Sequence, residues 1–481
     1  MAFLALSGAY AKGDSPETIS GMVISFSAGE VPVGPIQEAI EKYTGCKLKI
    51  NFVPSEGYVD KVNIALASGN LPEFMVIVDT KNAAFVQAVK AGAFWDITPY
   101  IKDYPRLAGL PDIGWKNSAI GGKNFGLYRA RFAVRQGIIW RQDWQRKLHL
   151  KNPETADDLD AMLKAFARLD ADGNGKGDTI PLVMPYDKDR GIISQVTNLA
   201  VWLGGVNGYG VKNGRLVQEM FTDEYLKALD LLRSWYKEKL LWSEFPISDR
   251  ETTFNKVRSG RAGAYMSATS DLDLVWDQVD ALGGRFSITN VMKTPAGETV
   301  AVSDPGFSGI IAFPKSTVKS EARLRQILSF FNKFNEDPMA DLLHWGFQPK
   351  HSSIIDNQLV QDKDQMDAYN REVQPYRQVQ IDPAVFDLGR AGKEAPSTAM
   401  HRKASDEATR YAILDPTLPL LSSTWSQLQG TLTTLQSDAI TRYIMGVYDL
   451  AAFKKARDTW LERGGQKVLD EYNKAYAEIY K

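Results

Sequence analysis

The sequence predicts an α/β protein of two domains, the second of them rich in helices. At 481 residues the chain is too long for one ordinary hydrophobic core. Its N-terminal part alternates short apolar runs with single amphipathic helices, a pattern typical of a parallel sheet. From Asp143 to about Leu282 the pattern is mainly helical, and strand character returns near Val291. Domains built from discontinuous segments are therefore expected.

The first strand–helix units set the sheet. GMVISFS, residues 21–27, is a short apolar run, and Pro35 then opens a helix that Gly45 closes. KLKINFV alternates apolar and polar residues as a strand does, and PEFMVIVD supplies a third strand that ends at Asp79. Ligands of parallel sheets lie beyond the carboxyl ends of the strands, so Ser27 and Asp79 are candidate site residues.

Helices dominate the middle and the end of the chain. ADDLDAMLKAFARLD and DEYLKALDLLRSWYKEKLL each carry one apolar face, as helices packed on a core do. TVAVSDPGFSGIIAFP then reads as strand with a glycine-broken turn, and the rest of the chain is helical again. We expect the domain connections near residues 134–140, near Thr294 and after Trp345.

Composition excludes several classes of function. The balance of 57 Lys and Arg against 58 Asp and Glu provides no field for recruiting nucleic acid or an anionic membrane. No run approaches the roughly 20 apolar residues of a membrane helix. A lone cysteine, Cys46, excludes an internal disulfide framework, and none of the 4 histidines is paired at metal-ligand spacing. A zinc hydrolase is therefore disfavoured.

The stretch RLDADGNGKGDTIPL predicts a calcium-binding loop. Oxygen-bearing residues occupy alternate positions around a central glycine, as in loops that wrap a calcium ion. The predicted ligands are Asp170, Asp172, Asn174, Lys176 through its carbonyl, Asp178 and Thr179. Pro181 stands where an EF-hand has its bidentate glutamate, so a solvated acidic turn is the alternative. A phosphate-binding loop is excluded, because no Gly-Lys-Ser/Thr follows at the required spacing.

Residues 1–17 are expected to be an export-signal remnant or a disordered leader. AFLAL is similar to the end of a signal h-region, and AYA before Lys12 fits a small-x-small cleavage site. The basic residues that normally begin such a signal are missing, so both interpretations stay open.

Several motifs resemble the extracellular solute-binding proteins of ABC transporters, family 1, in the branch with lipoprotein-type and alginate-binding members. ALASGNLPEFMVI is similar to that family's LASGDLPD segment, and GAFWDITPYI to its G-x-L-x-D-L-T-P-Y-I. IIWRQDWQRKLHLKNPETADDL resembles the signature at the entry to the second domain, and the C-terminal helices are similar as well. The calcium-like loop also recurs there, usually with glutamate at the place that Thr179 holds.

The resemblance implies a periplasmic-binding-protein fold of two α/β lobes joined by a hinge, with a helix-rich C-terminal lobe. The N-terminal lobe is expected over 18–136 and 292–345, and the C-terminal lobe over 137–291 and 346–481. It further implies a monomer without catalysis, periplasmic or extracellular at the cell envelope, that passes its ligand to ABC transporter permease subunits. Lipid anchoring is not supported, because the cysteine of lipoprotein members is absent at the start.

Aromatic and polar residues beside glycines or at expected connections are the candidate ligand residues, since sugars bind to stacking rings and convergent polar groups. They are Tyr128, Arg129, Gln136, Trp202, Tyr265, Phe307, Trp345, Tyr376 and Arg377. Trp144 and Trp235 are instead expected in cores. Arginine binds carboxylates and sulfates bidentately, so Arg129, Arg131, Arg135 and Arg377 raise the hypothesis of an acidic oligosaccharide, with salt bridging or solvation of each arginine as the alternative.

The predicted function is capture of an oligosaccharide for an ABC importer, with a ligand that contains uronic acids as the hypothesis that the arginines raise. Two alternatives stay open. A calcium-stabilised polysaccharide-degrading enzyme would need a paired-carboxylate or nucleophile motif, and none stands out in the sequence. A peptide- or lipid-binding receptor on the same fold would need a broad apolar cleft.

Overall fold

The computed structural model describes residues 17–27, 30–169, 171–356, 358–381 and 395–480. Within them the strands are β1 (Thr18–Ser25), β2 (Lys47–Pro54), β3 (Phe74–Ile77), β4 (Gly126–Ala130), β5 (Gln136–Arg141), β6 (Ile180–Val183), β7 (Tyr209–Lys212), β8 (Arg215–Gln218), β9 (Ala262–Ala268), β10 (Phe286–Thr289), β11 (Val291–Lys293), β12 (Thr299–Val302), β13 (Phe307–Ala312), β14 (Ser353–Ile355), β15 (Gln358–Val360) and β16 (Ala412–Ile413).

The α-helices of the same residues are α1 (Pro35–Thr44), α2 (Tyr58–Ser68), α3 (Ala83–Lys90), α4 (Pro105–Ala108), α5 (Asp112–Ser118), α6 (Gln142–Lys147), α7 (Ala156–Arg168), α8 (Ile193–Trp202), α9 (Asp223–Lys237), α10 (Arg250–Arg258), α11 (Trp276–Ala281), α12 (Glu321–Phe334), α13 (Asp337–Trp345), α14 (Lys363–Glu372), α15 (Gln374–Arg377), α16 (Pro396–Ala408), α17 (Ser423–Ile444), α18 (Leu450–Trp460) and α19 (Gln466–Tyr480). None of these helices is long and apolar enough to cross a membrane.

The described residues form two compact units. The first contains 17–77, 88–109 and 311–381, and the second contains 78–87, 110–310 and 395–480. These units differ from the expected lobes, because 78–87, 110–136 and 292–310 belong to the second unit and 346–381 to the first. Residues 346–381 are held in the first unit by contacts such as the edge-on packing of Phe52 against Tyr376, whose ring centres are 5.0 Å apart.

The first unit confirms the predicted strand–helix units of the N-terminal part. β1 lies between β2 and β3 and runs parallel to both, with Gly21 opposite Ile50 and Phe74. Gly21 has to be glycine, because a Cβ built there would lie 2.1 Å from Cζ of the Phe74 ring. Pro35 opens α1 and Gly45, at φ 79°, ends it as the sequence predicts.

The second unit is built on a four-stranded sheet in the order β10-β5-β9-β6, in which β5 is antiparallel to both of its neighbours. The helices pack on it through fully buried side chains. The apolar face of α7 predicted from its spacing is buried, and so are Trp144 and Trp235, as expected. A smaller sheet, β11-β12-β16, and the hairpin β7–β8 complete the part of this unit that bears on the site.

Candidate functional site

Three adjoining cavities in the second unit form a polar cleft, and we use that name for the set. Their volumes are about 540, 300 and 290 Å³. Arg190 lines all three of them. The first and second cavities share Gly208, Glu219 and Asp415, and the second and third share Gln136.

The hairpin β7–β8 brings one wall of the first cavity into place. Its turn is Asn213–Gly214 with φ of 54° and 74°, the left-handed pair that a tight hairpin needs. In this register Tyr209 lies opposite Gln218, and both line the first cavity. Gly208 precedes the first strand at φ 66° and lines the cavity with bare backbone.

Glu219 follows β8 and is a buried acceptor at the junction of the first two cavities. The residue is 2% exposed, and its carboxylate accepts hydrogen bonds from Thr197 Oγ1 (3.0 Å), Gly208 N (3.0 Å) and Gln436 Nε2 (3.2 Å). Burial raises the pKa of Glu219 to about 7, although all three donors favour its ionised form. Glu219 thereby ties α8, the hairpin and α17 together.

Asp415 presents one carboxylate oxygen at the same junction. Its Oδ1 accepts from the backbone N–H of Thr417 (2.8 Å) and from the Thr417 hydroxyl (2.7 Å). Its Oδ2 lies beside Gly208, where a Cβ would stand only 3.0 Å away. None of the described residues donates a hydrogen bond to Oδ2. Burial raises the pKa of Asp415, and the positive charge of Lys81 opposes that rise.

Lys81 and Asp79 anchor the segment after β3 to the same region. Lys81 Nζ donates to the carbonyl of Thr417 (2.8 Å) and to the Tyr472 hydroxyl (3.3 Å). Burial lowers the pKa of Lys81 to about 8, with Asp415 and Asp79 acting in the opposite direction. Asp79, a candidate from its place at a strand end, accepts from Gln429 Nε2 at 3.0 Å.

One face of α17 forms the opposite wall of the first cavity. Trp425, Gln429, Thr433 and Gln436 recur at helical spacing and all line it. Trp425 is half-buried, so part of its ring faces the cavity. None of these four residues is among the ligand residues predicted from the sequence. The pattern that could have predicted this face is a tryptophan followed at i+4 and i+8 by polar residues with uncharged side chains.

Two buried polar atoms that border the first cavity have no hydrogen-bond partner among the described residues. They are the Tyr209 hydroxyl and Trp460 Nε1. Buried polar groups are almost always paired, and leaving one unpaired costs about 1–3 kcal/mol. Both atoms are shielded from the cavity by their neighbours, so a bound molecule would reach them only after the surrounding side chains move.

Arg190 supplies positive charge to the cleft. It is exposed, and its hydrogen bonds are made by its backbone: the N–H donates to Asp187 Oδ1 (2.8 Å) and the carbonyl accepts from the Ile193 N–H (3.2 Å). Within the described parts of the chain its guanidinium forms no ion pair, whereas Arg250 in the third cavity is paired with Asp271. Arg190 is therefore the cation of the cleft that is available to a ligand.

The predicted ligand residues of the second unit occupy different environments. Gln136 lines the second and third cavities. Tyr128 is buried with its hydroxyl bonded to the Pro111 carbonyl (2.7 Å), and Arg129 Nη1 donates to the Ser308 carbonyl (3.0 Å). Trp202 lies in the core, and the Tyr265 hydroxyl donates to Asp271 (2.8 Å).

Phe307 begins β13 and is half-buried. In the first unit, Trp345 ends α13, the buried Tyr376 donates to Gln37 Oε1 (3.0 Å), and Arg377 Nη1 donates to the Tyr369 hydroxyl (3.0 Å). A ligand role for these residues stays a prediction.

The other arginines proposed for an acidic ligand have partners within the second unit. Arg135 forms an ion pair with Asp304, with 3.2 Å between nitrogen and oxygen, and Arg131 Nη1 donates to the carbonyl of Ala130 at 2.7 Å. The Arg135 contact matches the salt-bridging alternative, whereas Arg131 donates to a backbone carbonyl. Arg190, which the sequence analysis did not single out, is better placed.

The predicted calcium loop connects α7 to β6, and Asp170 lies outside the described residues. The carboxylates of Asp172 and Asp178 converge on one amide, because Asn174 Nδ2 donates to them at 2.7 and 2.9 Å. The Lys176 N–H donates to Asn174 Oδ1 (2.6 Å). Thr179 Oγ1 donates to the Phe166 carbonyl (3.2 Å). The described residues contain no cluster of three acidic, histidine or cysteine side chains able to hold a metal.

The comparisons with known proteins identify the family. The model of the bacterial extracellular solute-binding proteins matches residues 36–367. The lipoprotein LipO of Bacillus subtilis is 33% identical over 451 residues, which cover 92% of this chain and 88% of LipO. The polygalacturonan/rhamnogalacturonan-binding protein YtcQ of the same organism is 30% identical, with 97% and 92% covered. The chain belongs to the bacterial extracellular solute-binding proteins.

Solved structures agree on the fold. An HMO-binding solute-binding protein associated with an ABC transporter of Bifidobacterium longum infantis superimposes with a TM-score of 0.72 at 15% identity, covering 96% of this chain and 99% of its own. The EF-hand mutant of the S. pneumoniae substrate-binding protein FusA, in complex with fructo-nystose, gives 0.63 at 17% identity, with 96% and 99% covered.

These findings confirm the predicted family and the two-lobed α/β fold of solute-binding proteins. The chain is an extracellular, cell-envelope-associated solute-binding protein of an ABC importer.

Proposed function

We propose that this solute-binding protein captures an oligosaccharide in the polar cleft of its second unit and releases it unaltered to the importer. The observation that carries the proposal is the polar lining of the first cavity: Asp415 Oδ2, to which none of the described residues donates a hydrogen bond, with the Gln429 amide and the Thr433 hydroxyl on α17. Sugar hydroxyls both donate and accept hydrogen bonds, so one ligand can satisfy all three. The half-buried ring of Trp425 adds a surface on which a sugar ring can stack.

We infer that the ligand carries at least one uronic acid. Arg190 borders all three cavities without an ion-pair partner among the described residues, and a guanidinium binds a carboxylate through two parallel hydrogen bonds. The relative YtcQ is a polygalacturonan/rhamnogalacturonan-binding protein, which supports the same class of ligand.

Isothermal titration with an oligogalacturonide of three units and with a neutral trisaccharide tests both parts of this proposal. We expect the uronic-acid ligand to bind more tightly, and Arg190→Gln to remove that preference while Arg190→Lys retains part of it. The matched control is Arg285→Gln, at an exposed arginine paired with Asp280, which should change neither affinity. Equal binding of both ligands to the wild type would refute the acidic ligand. Binding of neither would refute oligosaccharide capture.

Transport without catalysis requires that the ligand survive. Incubation of the protein with the same oligogalacturonide for many hours, followed by chromatography, should return the intact trisaccharide. Shorter products would favour the alternative of a polysaccharide-degrading enzyme.

We further propose that the protein acts as a monomer that presents its ligand to the permease subunits, and light scattering with and without ligand tests the oligomeric state.

We propose that calcium binds the loop between α7 and β6. The convergence of Asp172 and Asp178 on one side-chain amide brings two carboxylates to a single point, and the amide oxygen of Asn174 and the Lys176 carbonyl are further oxygen ligands of the kind calcium prefers. The EF-hand named for FusA supports the assignment. Bound calcium would hold α7 and β6 in register without taking part in ligand chemistry.

Thermal unfolding with calcium and with a chelator tests this assignment. A bound ion stabilises the folded state by mass action, so calcium should raise the unfolding midpoint of the wild type. The double variant Asp172→Asn, Asp178→Asn should lose that rise, and the same midpoint in calcium and chelator for the wild type would refute the site.

A further inference from the structure

At the junction of the first two cavities, Asp415 has one carboxylate oxygen that accepts no hydrogen bond from the described residues. Asp415 Oδ1 is held by Thr417, so the carboxylate cannot rotate without losing two hydrogen bonds of 2.8 and 2.7 Å. Oδ2 is left at the cleft beside the bare backbone of Gly208. Glu219, the other carboxylate of this junction, already accepts three hydrogen bonds. Asp415 is therefore the carboxylate of this junction that can still accept a hydrogen bond from a ligand.

Lys81 is the cation that acts on Asp415. It is fixed by the Thr417 carbonyl and by the Tyr472 hydroxyl, and its Nζ lies 5.1 Å from the centre of the Tyr472 ring. The same residue, Thr417, therefore holds both the carboxylate and the ammonium. Nearby positive charge favours the ionised form of a half-buried carboxyl group.

We propose that Asp415 determines specificity by accepting a hydrogen bond from a sugar hydroxyl at Oδ2, and that Lys81 is a positioning residue that keeps Asp415 ionised. The inference rests on the proposed function and deepens it. The ligand then has to present a carboxylate to Arg190 and a free hydroxyl to Asp415. A sugar unit with that hydroxyl removed or methylated leaves Asp415 Oδ2 without a hydrogen bond in a desolvated site and is rejected.

Several other titratable groups surround Asp415, and the test has to separate them. Asp79 and Lys81 face it from the segment after β3, Tyr209 and Glu219 from the hairpin, and Tyr472 from α19. Arg190 lines the same two cavities. Each variant changes one of these groups and retains the others. A difference between the pH dependence of ligand affinity in a variant and in the wild type therefore reports the interaction that was removed.

Titration of the oligogalacturonide from pH 5.5 to 8.5 tests the proposal. Asp415→Asn should bind about 10–100-fold more weakly at every pH, because a charged hydrogen bond contributes about 1.5–3 kcal/mol. Lys81→Met should bind weakly at pH 5.5 and approach the wild type at pH 8.5, since Asp415 then ionises only at higher pH. Glu238→Gln, at an exposed carboxylate on the end of α9, should behave as the wild type.

A second arm leaves the protein unchanged. An O-methylated form of the same oligogalacturonide, with its carboxylates intact, should bind the wild type at least tenfold more weakly than the parent. If the wild type binds no member of the panel, the proposed function fails and this inference with it. If the wild type binds but Asp415→Asn or the methylated ligand binds as tightly, this inference alone is overturned. If the affinity of Lys81→Met depends on pH in parallel with that of the wild type, the proposed role of Lys81 is overturned.

Discussion

Gly208 offers a substitution whose effect on ligand affinity can be separated from its effect on folding. Its backbone is left-handed at φ 66°, and a Cβ there would lie 3.0 Å from Asp415 Oδ2. Gly214, in the hairpin turn, has a similar φ of 74°, but a Cβ there would meet nothing within 4 Å. The pair Gly208→Ala and Gly214→Ala therefore shares the backbone cost and differs in the contact with the site.

Each alanine should destabilise the protein by about 1–2 kcal/mol, the cost of a left-handed residue with a Cβ. Gly208→Ala should also displace the Asp415 carboxylate, and the loss of one charged hydrogen bond to the ligand, about 1.5–3 kcal/mol, corresponds to roughly a 10–100-fold weaker affinity. Gly214→Ala should leave affinity within about twofold of the wild type.

Urea denaturation measures the stability of both variants, and isothermal titration with the oligogalacturonide measures their affinity. The reasoning is refuted if Gly208→Ala keeps the affinity of the wild type, or if both variants lose affinity equally. The first result would mean that Asp415 does not contact the ligand, and the second that the hairpin acts only through its fold.

Three further predictions follow from the same contacts. Trp425→Ala should weaken oligosaccharide binding about tenfold in titration calorimetry, whereas Trp425→Phe should retain most of the affinity because a stacking ring remains; equal losses would exclude stacking. Burial raises the pKa of Glu219 from 4.5 to about 7, so its contribution to stability is present below pH 4.5 and is lost as pH rises through about 7. Urea denaturation of the wild type should therefore show up to about 3 kcal/mol less stability at pH 8 than at pH 4.5 from this group, and Glu219→Gln should show a flatter profile; parallel profiles would contradict the assignment. Gly21→Ala should cost about 1–3 kcal/mol by overpacking against Phe74 in the same denaturation assay. Gly34→Ala, whose Cβ would meet nothing within 4 Å, should cost about 1 kcal/mol or less, because only the preference of an N-cap position for glycine over alanine is lost.

Much of the fold could be predicted because local chemistry determines it. Pro35 and Gly45 bound α1 for steric reasons that any α-helix shares, and the alternation in KLKINFV matches β2. The assignment of 346–381 could not be predicted in the same way. It depends on long-range contacts such as that between Tyr376 and Gln37, which leave no pattern along the chain.

The candidate site was predicted only where topology marks it. Asp79 stands at a strand end and contacts Gln429, and Gln136 lines two cavities. Proximity to glycine was a poorer guide for Tyr128, because its ring packs on Gly114, where a Cβ would lie 2.1 Å from Cε2. Glycines make room for core rings as readily as for ligands. The polar face of α17 was missed since, in sequence alone, it has the same pattern as a face exposed to solvent.

A crystal structure of the protein with the oligogalacturonide bound tests the central claim most directly. We predict a sugar unit in the first cavity, with hydroxyl oxygens within hydrogen-bond distance of Asp415 Oδ2, the Gln429 amide and the Thr433 hydroxyl, and with its glycosidic bonds intact. Density for the ligand that leaves this cavity empty, or that contains a cleaved sugar, would contradict the account.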